Sequence, residues 1–250
     1  MTLLMGALLV LGGAAAGFVN AMAGGGSALT VPLLVYAGLD PLTANGTNRV
    51  GVWVQSISAT LTFQRRGLMQ WSALWYILPP VILGATAGAL AAASMQPKAI
   101  KLAFGVLFVA LAVLMVAKPS WLVPQLPQGV EARKPPHWGL AAMAAVGVYG
   151  GMFQAGVGIP LLLVLVQALR VDVVTANALK AALVMVYTLV VLVIFGGHSQ
   201  IDWPSGLLLA AGGWVGSMLG ARAAIAKGAA LIRWAVMAVL LYSAVRFLFD

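Results

Sequence analysis

The chain contains no cysteine, which excludes disulfide bonds, thiol nucleophiles and thiolate metal sites. Charged residues are also scarce: they make up 8% of the chain, against about a quarter in an average soluble domain. Only five residues are acidic, and each lies in a predicted loop, at a predicted helix start or at the end of the chain. No predicted apolar segment therefore has a carboxylate in its interior.

Histidine is nearly absent. The two histidines, His137 and His198, both fall in predicted loops, so a buried proton relay or metal site has little support and we expect no metal or other cofactor. Ser27 follows a glycine-rich break, as in some intramembrane serine proteases, but no base lies nearby to activate its hydroxyl. We therefore expect no enzyme.

Hydrophobic residues, in contrast, make up 62% of the chain, and the mean hydropathy is +1.03. Apolar stretches of about 20 residues match a hydrocarbon core about 30 Å thick, which predicts an all-α integral membrane protein with the lipid bilayer as a partner. The net charge is +9, but the cations stand mostly at segment ends, which is typical of topology signals and argues against nucleic-acid binding. Residues 1–23 lack a basic start, so we expect no cleaved signal peptide.

Ten apolar segments divide the chain into five plus five, of which eight to ten are expected to enter the membrane. A polar, proline-rich linker at 118–136 separates a first transmembrane repeat (1–117) from a second (137–250), and together they form one membrane domain. The predicted segments are 2–23, 27–39, 44–64, 71–94, 98–117, 137–153, 157–170, 174–196, 204–224 and 229–248.

A motif occurs once in each half. D-x-x-T-A-N begins at Asp40 and returns at Asp172, 132 positions later. At the same offset G-x-x-x-G-A recurs in the fourth segment of each half, and Val31-Pro32 resembles Ile159-Pro160 at an offset of 128. Several collinear matches indicate a duplication. The matched pairs at 132 are Trp71 and Trp203, Gly84 and Gly216, Gly88 and Gly220, and Ala89 and Ala221.

An odd number of segments in the repeat predicts that the two halves insert upside down relative to each other. The cations agree, because Arg65 and Arg66 follow the third segment while its equivalent loop at 196–202 has no cation. Alternating loops place the basic ones on one side, which is then cytoplasmic, with the linker there and both termini periplasmic. This side carries Arg65, Arg66, Lys118, Arg133, Lys134, Arg170, Arg222 and Lys227.

The second segment of each half has only 13 or 14 residues, too short to cross a membrane, so half-helices near the midplane are predicted. Glycine-rich breaks precede both. A break lets the backbone approach a ligand, and the following half-helix presents N–H groups and a positive dipole end, which suits an anion. Close helix packing is the alternative explanation. The break residues are Gly24, Gly25, Gly26 and Ser27 in the first half, and Gly150, Gly151, Gly156 and Gly158 in the second.

Polar residues follow one face of the long third segment in each half. Arg49 and Lys180 matter most, because a cation within an apolar helix is costly and usually faces a cavity or a partner; snorkelling to the interface or structural pairing is the alternative. Asp40 and Asp172 are interpreted as helix N-caps, with a role in coupling as the alternative. The face carries Asn45, Asn48, Arg49, Gln55 and Ser56, and its twin carries Asn177, Lys180, Tyr187 and Thr188.

Four runs resemble the TauE/SafE family of sulfite and organosulfur anion exporters: GFVNAMAGGGS (17–27), ANGTNRV (44–50), YGGMFQAGVG (149–158) and ANALK (176–180). The resemblance covers nearly the whole chain and includes the duplication. It implies transport of small sulfur-containing anions across a bacterial inner membrane. The second half departs from the pattern of the first, since it keeps Gly156 and Gly158 but has no triple glycine.

These observations predict a secondary transporter for a small anion, such as sulfite or a sulfonate, that works by alternating access between inverted repeats. An anion-permeable channel and a non-transporting membrane scaffold are the alternatives. The oligomeric state stays open, because G-x-x-x-G can pack helices within or between chains. The predicted substrate-binding residues are Gly25, Gly26, Ser27, Asn45, Asn48, Arg49, Gln55, Gly156, Gly158, Asn177, Lys180 and Tyr187.

Overall fold

The computed structural model describes residues 2–22, 24–96, 98–100, 102–104, 106 and 130–227. Most of the predicted fifth segment, the linker up to residue 129 and the predicted tenth segment lie outside these residues. All regular secondary structure in the described part is helical, as the sequence predicts. The long or regular helices are α1 (Leu3–Met22), α2 (Ser27–Tyr36), α3 (Pro41–Gln64), α4 (Trp71–Ala93), α5 (His137–Met152), α6 (Gly158–Leu169), α7 (Val173–Gly197) and α8 (Trp203–Lys227).

Within the described residues, four helices are long and apolar enough to cross a membrane: α1, α4, α7 and α8. Helix α3 is as long, with 24 residues, but its polar face lowers its hydropathy. Large apolar side chains on the spanning helices are exposed, among them Leu83 at 72% and Val193 at 71%. A surface of this kind suits contact with lipid. The protein is an all-α, multi-pass membrane protein.

The two D-x-x-T-A-N motifs begin α3 and α7, and their aspartates are N-caps, as predicted. Asp40 Oδ1 accepts hydrogen bonds from the backbone N–H groups of Leu42 (3.0 Å) and Thr43 (3.1 Å). Asp172 Oδ1 accepts from Val174 (2.9 Å) and Thr175 (3.1 Å) in the same way. These caps satisfy backbone donors that the first turn of a helix leaves free, so they fix where both long helices start.

Helices α2 and α6 are half-helices. They have 10 and 12 residues, or about 15 Å and 18 Å of helix, which is too short to cross the hydrocarbon core. Helix α2 runs back along α1, because Gly12 lies against the side chain of Leu33 while Gly26 lies against Ala16. Helix α6 returns to the start of α5, where Gly139 lies against Ala168. Each half therefore contains a hairpin that enters the bundle and turns back.

The first helix of each half packs along the fourth helix of the other half. Helix α1 lies parallel to α8, and α5 lies parallel to α4. The repeated G-x-x-x-G glycines are the contact points, so they pack helices within the chain. A Cβ atom on any of them would collide with a backbone oxygen of the facing helix: Gly84 with Ala144, Gly88 with Val148, Gly216 with Ala14, and Gly220 with Phe18.

Hydrogen bonds bring several loops to one end of the bundle. Gln70, just before α4, donates to the carbonyl oxygen of Val130 (2.9 Å) and accepts from the N–H of Ala132 (2.8 Å). The N–H of Arg133 donates to the carbonyl oxygen of Leu169 at 2.9 Å. Five of the cations assigned to the cytoplasmic side lie in or beside these loops: Arg65, Arg66, Arg133, Lys134 and Arg170.

The opposite end is held together by different contacts. Gln200, after α7, donates from Nε2 to the carbonyl oxygen of Ala93 at the end of α4, at 2.9 Å. The N–H of Asp202 donates to Thr47 Oγ1 on α3 at 2.8 Å. The loop between α7 and α8, which carries no Lys or Arg, thus lies at the far end from the basic loops.

Candidate substrate site

Arg49 on α3 is fully buried against the end of α5. Its Nη1 atom donates to the carbonyl oxygen of Gly150 (2.6 Å) and to Gln154 Oε1 (2.8 Å). Its Nη2 atom donates to the carbonyl oxygen of Gly151 (2.8 Å) and to Asn45 Oδ1 (3.4 Å). The last carbonyl groups of a helix carry partial negative charge, so the end of α5 stabilises this cation.

Lys180 on α7 is also buried, with 3% of its surface exposed. Its Nζ atom donates to the carbonyl oxygen of Asn20, close to the end of α1, at 3.1 Å. This is its one hydrogen bond to the described part of the chain. Lys180 thus also lies at the carbonyl end of the other half's first helix, and of the three N–H donors of its ammonium only one has an acceptor among the residues that the structure describes.

The two motif asparagines make reciprocal contacts. Asn45 Nδ2 donates to the carbonyl oxygen of Met152, the last residue of α5, at 2.8 Å. Asn177, 132 positions later, donates from Nδ2 to the carbonyl oxygen of Ala21 in the last turn of α1 at 2.7 Å. Each half therefore binds the end of the other half's first helix.

The two glycine-rich breaks meet between the halves. Gly24 has a positive φ of 83°, and a Cβ atom there would collide with the backbone of Gly158. The N–H of Gly158 donates to the carbonyl oxygen of Gly24 at 3.3 Å. The N–H of Gly26 donates to Asn20 Oδ1 at 2.7 Å. Two of the backbone groups expected to hold an anion are thus already hydrogen-bonded within the protein.

A small cavity lies at this meeting point. It is bounded by the end of α1, the two breaks, and the facing surfaces of α3 and α7. Its lining, as far as the described residues form it, contains one cation and no acidic side chain. The polar lining residues are Asn20, Gln55, Ser56, Gln154 and Lys180.

Hydrogen bonds fix the side chains around the cavity. Asn20 Nδ2 donates to Gln55 Oε1 at 2.7 Å, while Asn20 Oδ1 holds the break at Gly26. On the other side, Gln154 Oε1 accepts from Arg49 and also from the hydroxyl of Tyr187, at 2.9 Å. Two amides, one at each break, are therefore held by partners from the third helices.

The structure brings three of the predicted site residues to the cavity wall: Gln55, Gly158 and Lys180. Most of the others lie just behind the wall, at the contacts between the halves. Asn48, for example, accepts a hydrogen bond from Thr30 at 2.5 Å, and Ser27 Oγ is buried without a partner in the described part of the chain. The predicted residues outside the lining are Gly25, Gly26, Ser27, Asn45, Asn48, Arg49, Gly156, Asn177 and Tyr187.

Three polar lining residues are not in the predicted site: Ser56, which belongs to the predicted polar face of α3, and Asn20 and Gln154, which were not singled out. Asn20 lies within the last turn of α1, and Gln154 lies between α5 and α6. The sequence contained a signal for Asn20 and Gln154, because each is an isolated amide beside a glycine-rich break in an otherwise apolar run. Among the described residues, no group of His, Asp and Glu side chains is placed to hold a metal ion.

A sequence model of a family described as sulfite exporter TauE/SafE matches residues 9–247. The chain belongs to the TauE/SafE family. The match spans both halves, and so it covers both breaks, both polar helices and the cavity between them.

Three relatives are named as probable membrane transporter proteins. One from Haemophilus influenzae is 31% identical over 231 residues, which cover 91% of this chain and 88% of that protein. The ORF9 protein of a Sinorhizobium species is 31% identical over 239 residues, covering 94% and 89%. YfcA of Escherichia coli K12 is 29% identical over 239 residues, covering 94% and 86%. No solved structure matches the chain significantly.

The family description and the names of these relatives are consistent with the membrane-spanning fold, and together they indicate the general function. The protein is a multi-pass membrane transporter of the TauE/SafE family. Both names describe transport and neither describes an enzyme.

Proposed function

We propose that this protein is a secondary transporter that carries a small anion, such as sulfite or a sulfonate, through the cavity between its two halves. The observation that carries this proposal is the composition of the cavity wall. It contains a buried cation, Lys180, and several amide and hydroxyl groups, but no acidic side chain among its described residues. A small anion would find positive charge and hydrogen-bond donors there.

Two features add positive potential at the cavity. Among the described residues, Lys180 has a single hydrogen bond, to a backbone carbonyl oxygen, and no carboxylate pairs with it. Helix α6 begins at Gly158, which lines the cavity, so the positive end of that half-helix also faces it. Since the N–H of Gly158 is bonded to Gly24, we expect the dipole to act over distance rather than through that N–H.

The contacts between the halves support an alternating-access mechanism. The cavity lies where two hairpins meet, and each hairpin is held by the third helix of the opposite half through Asn45 or Asn177. Equivalent residues making equivalent contacts are what an inverted repeat would produce. In this proposal the halves rock about the junction and open the cavity to each side in turn.

The orientation can be tested because the chain has no cysteine of its own. We propose that the end with the basic loops is cytoplasmic, in the inner membrane of a bacterium, with both termini periplasmic. A membrane-impermeant thiol reagent applied to intact cells should label His198→Cys and leave Arg66→Cys unlabelled. The reverse pattern would contradict this orientation.

Flux measurements test the transport proposal. Purified protein in liposomes should move labelled sulfite, methanesulfonate or sulfoacetate with saturable kinetics, and unlabelled substrate on the far side should accelerate exchange. Liposomes without protein and liposomes with an unrelated carrier are the controls. A steady single-channel current would favour the channel alternative.

A binding measurement separates the scaffold alternative. A transported anion should raise the melting temperature of the purified protein in a concentration-dependent way, because it binds the folded state. Absence of both flux and stabilisation by every anion in the panel would favour a non-transporting scaffold.

A further inference from the structure

We infer that Gln154 is a specificity-determining residue that donates hydrogen bonds from its side-chain amide to oxygen atoms of the transported anion. This inference rests on the proposed function and adds a residue that lies outside the predicted polar stripes. Gln154 lies in the second glycine-rich break, is 4% exposed, and forms part of the cavity wall.

The orientation of the Gln154 amide is fixed by its partners. Arg49 Nη1 reaches the amide at 2.8 Å, and a guanidinium can only donate, so the atom facing it must be the oxygen Oε1. The Tyr187 hydroxyl donates to the same oxygen at 2.9 Å. With Oε1 held by two donors, the NH₂ group must point away from Arg49 and Tyr187.

Both hydrogen bonds that the Gln154 side chain makes within the described part of the chain are accepted by Oε1, and Nε2 is not one of the fully buried atoms without a partner. A buried amide normally satisfies both its oxygen and its nitrogen. Because Gln154 lines the cavity, an acceptor within the cavity would complete its hydrogen bonding. A sulfite or sulfonate group carries three such oxygens.

The backbone of Gln154 also indicates that its side chain is needed. Its φ is 62°, in the left-handed region that a residue with a Cβ atom adopts rarely and glycine adopts readily. The neighbouring break residues Gly150, Gly151 and Gly156 are glycines. Glycine would adopt the backbone conformation of residue 154 more easily than glutamine does. The presence of glutamine therefore indicates that its side-chain amide has a role at the cavity.

Arg49 and Tyr187 act through Gln154 in this account, so they are positioning residues. Neither is in the cavity lining, and both hold the same oxygen atom. Loss of the Tyr187 hydroxyl should leave the Gln154 NH₂ group present but less well oriented. The effect of a Tyr187 substitution on transport should therefore disappear when Gln154 is also replaced.

The first experiment compares flux for wild type and Gln154→Glu in liposomes, with sulfite and methanesulfonate as the probes. The substitution keeps an oxygen for Arg49 and Tyr187 but replaces the donor NH₂ with a second, negatively charged oxygen. We expect the melting temperature to stay within a few degrees and flux to fall about tenfold or more. Gln154→Gly, which relaxes the backbone and removes the amide, should also fold and should raise KM. Gln64→Glu, at the exposed end of α3, is the matched control.

The second experiment measures KM for Tyr187→Phe alone and combined with Gln154→Gly. Tyr187→Phe should raise KM about threefold to tenfold in the wild-type background and have no further effect in the Gln154→Gly background. Tyr149→Phe removes a hydroxyl that bonds the carbonyl oxygen of Ala155 and should leave KM unchanged. A purely structural role for Tyr187 would give the same change in both backgrounds and would contradict the inference.

The failure of this inference is distinct from that of the proposed function. If wild type moves and binds none of the anions, the proposed function fails. If wild type transports and Gln154→Glu and Gln154→Gly both stay within twofold of its flux and KM, the role of Gln154 is wrong while anion transport stands.

Discussion

Arg49 and Lys180 are both buried cations on the third helix of their half, and both lie at the carbonyl end of the other half's first helix. Their surroundings differ. Arg49 makes four hydrogen bonds and lies behind the cavity wall. Lys180 makes one and lies in the wall. We take this difference to mean that the two cations have separate roles, one in joining the halves and one in binding substrate.

The chemistry of the two side chains suits this division. A guanidinium offers five donors in a fixed planar arrangement, so Arg49 can satisfy several carbonyl groups at once. An ammonium is a compact charge on a flexible stem, and Lys180 uses one of its three donors on the described part of the chain. A buried cation with a single neutral partner is costly, which is a reason to expect that it is used.

The largest expected effect is on stability, when the cation of each half is removed in turn. Arg49→Gln removes the guanidinium donors of the buried carbonyl oxygens of Gly150 and Gly151, of which Gly150 keeps a backbone N–H donor from Gln154, and each lost hydrogen bond to the charged group costs about 1.5–3 kcal/mol. Lys180→Gln removes one hydrogen bond together with a buried charge, and should change stability by less than about 1 kcal/mol. Unfolding of the purified variants in detergent measures both. Equal losses would contradict separate roles.

A smaller effect tests whether the halves depend on each other where the breaks meet. Gly24→Ala should destabilise the protein for two reasons: the positive φ of residue 24 and the collision of the new Cβ atom with Gly158. The loss should exceed by about 1–3 kcal/mol that of a control substitution that has the positive φ but no collision. Gly38→Ala is that control, because Gly38 has a φ of 101° but nothing near its Cβ position. The difference between their melting temperatures isolates the contact between the breaks. Identical melting temperatures would mean that this contact adds no stability.

The smallest effect concerns the caps that begin α3 and α7. Asp40→Ala and Asp172→Ala should each cost about 1 kcal/mol, with Asp172→Ala the larger because Asp172 is buried whereas Asp40 is exposed. Asn at either position should restore most of the loss. Flux by the folded variants should equal that of wild type. Loss of flux in a stable Asp→Asn variant would instead support the coupling role that remains the alternative for these residues.

Much of the fold could be predicted because its signals are local. Asp40 and Asp172 mark helix starts by capping chemistry, and the glycine-rich breaks mark where α2 and α6 must begin. The short lengths of those two helices follow from segment length alone. In the described part of the chain, helices α1 to α8 begin and end within a few residues of the predicted segments.

The cavity wall could be predicted only in part, because it depends on contacts between distant segments. The polar face of α3 is visible in the sequence, but its rotation is set by packing against α7 and α8. That rotation directs Arg49 to the end of α5 and Gln55 to the cavity. Gln154 lies in a turn whose positive φ no helical periodicity predicts, and its partners come from α3 and α7.

The most direct test of the account is the initial rate of sulfite flux into liposomes by Lys180→Gln, compared with wild type and with Lys98→Gln, in which an exposed lysine is changed. Loss of a charge-assisted hydrogen bond in the cavity should reduce flux about tenfold to a hundredfold in the Lys180 variant, with the protein still folded, while the Lys98 variant keeps the wild-type rate. Wild-type flux by a folded Lys180→Gln protein would contradict the claim that this cavity carries the anion.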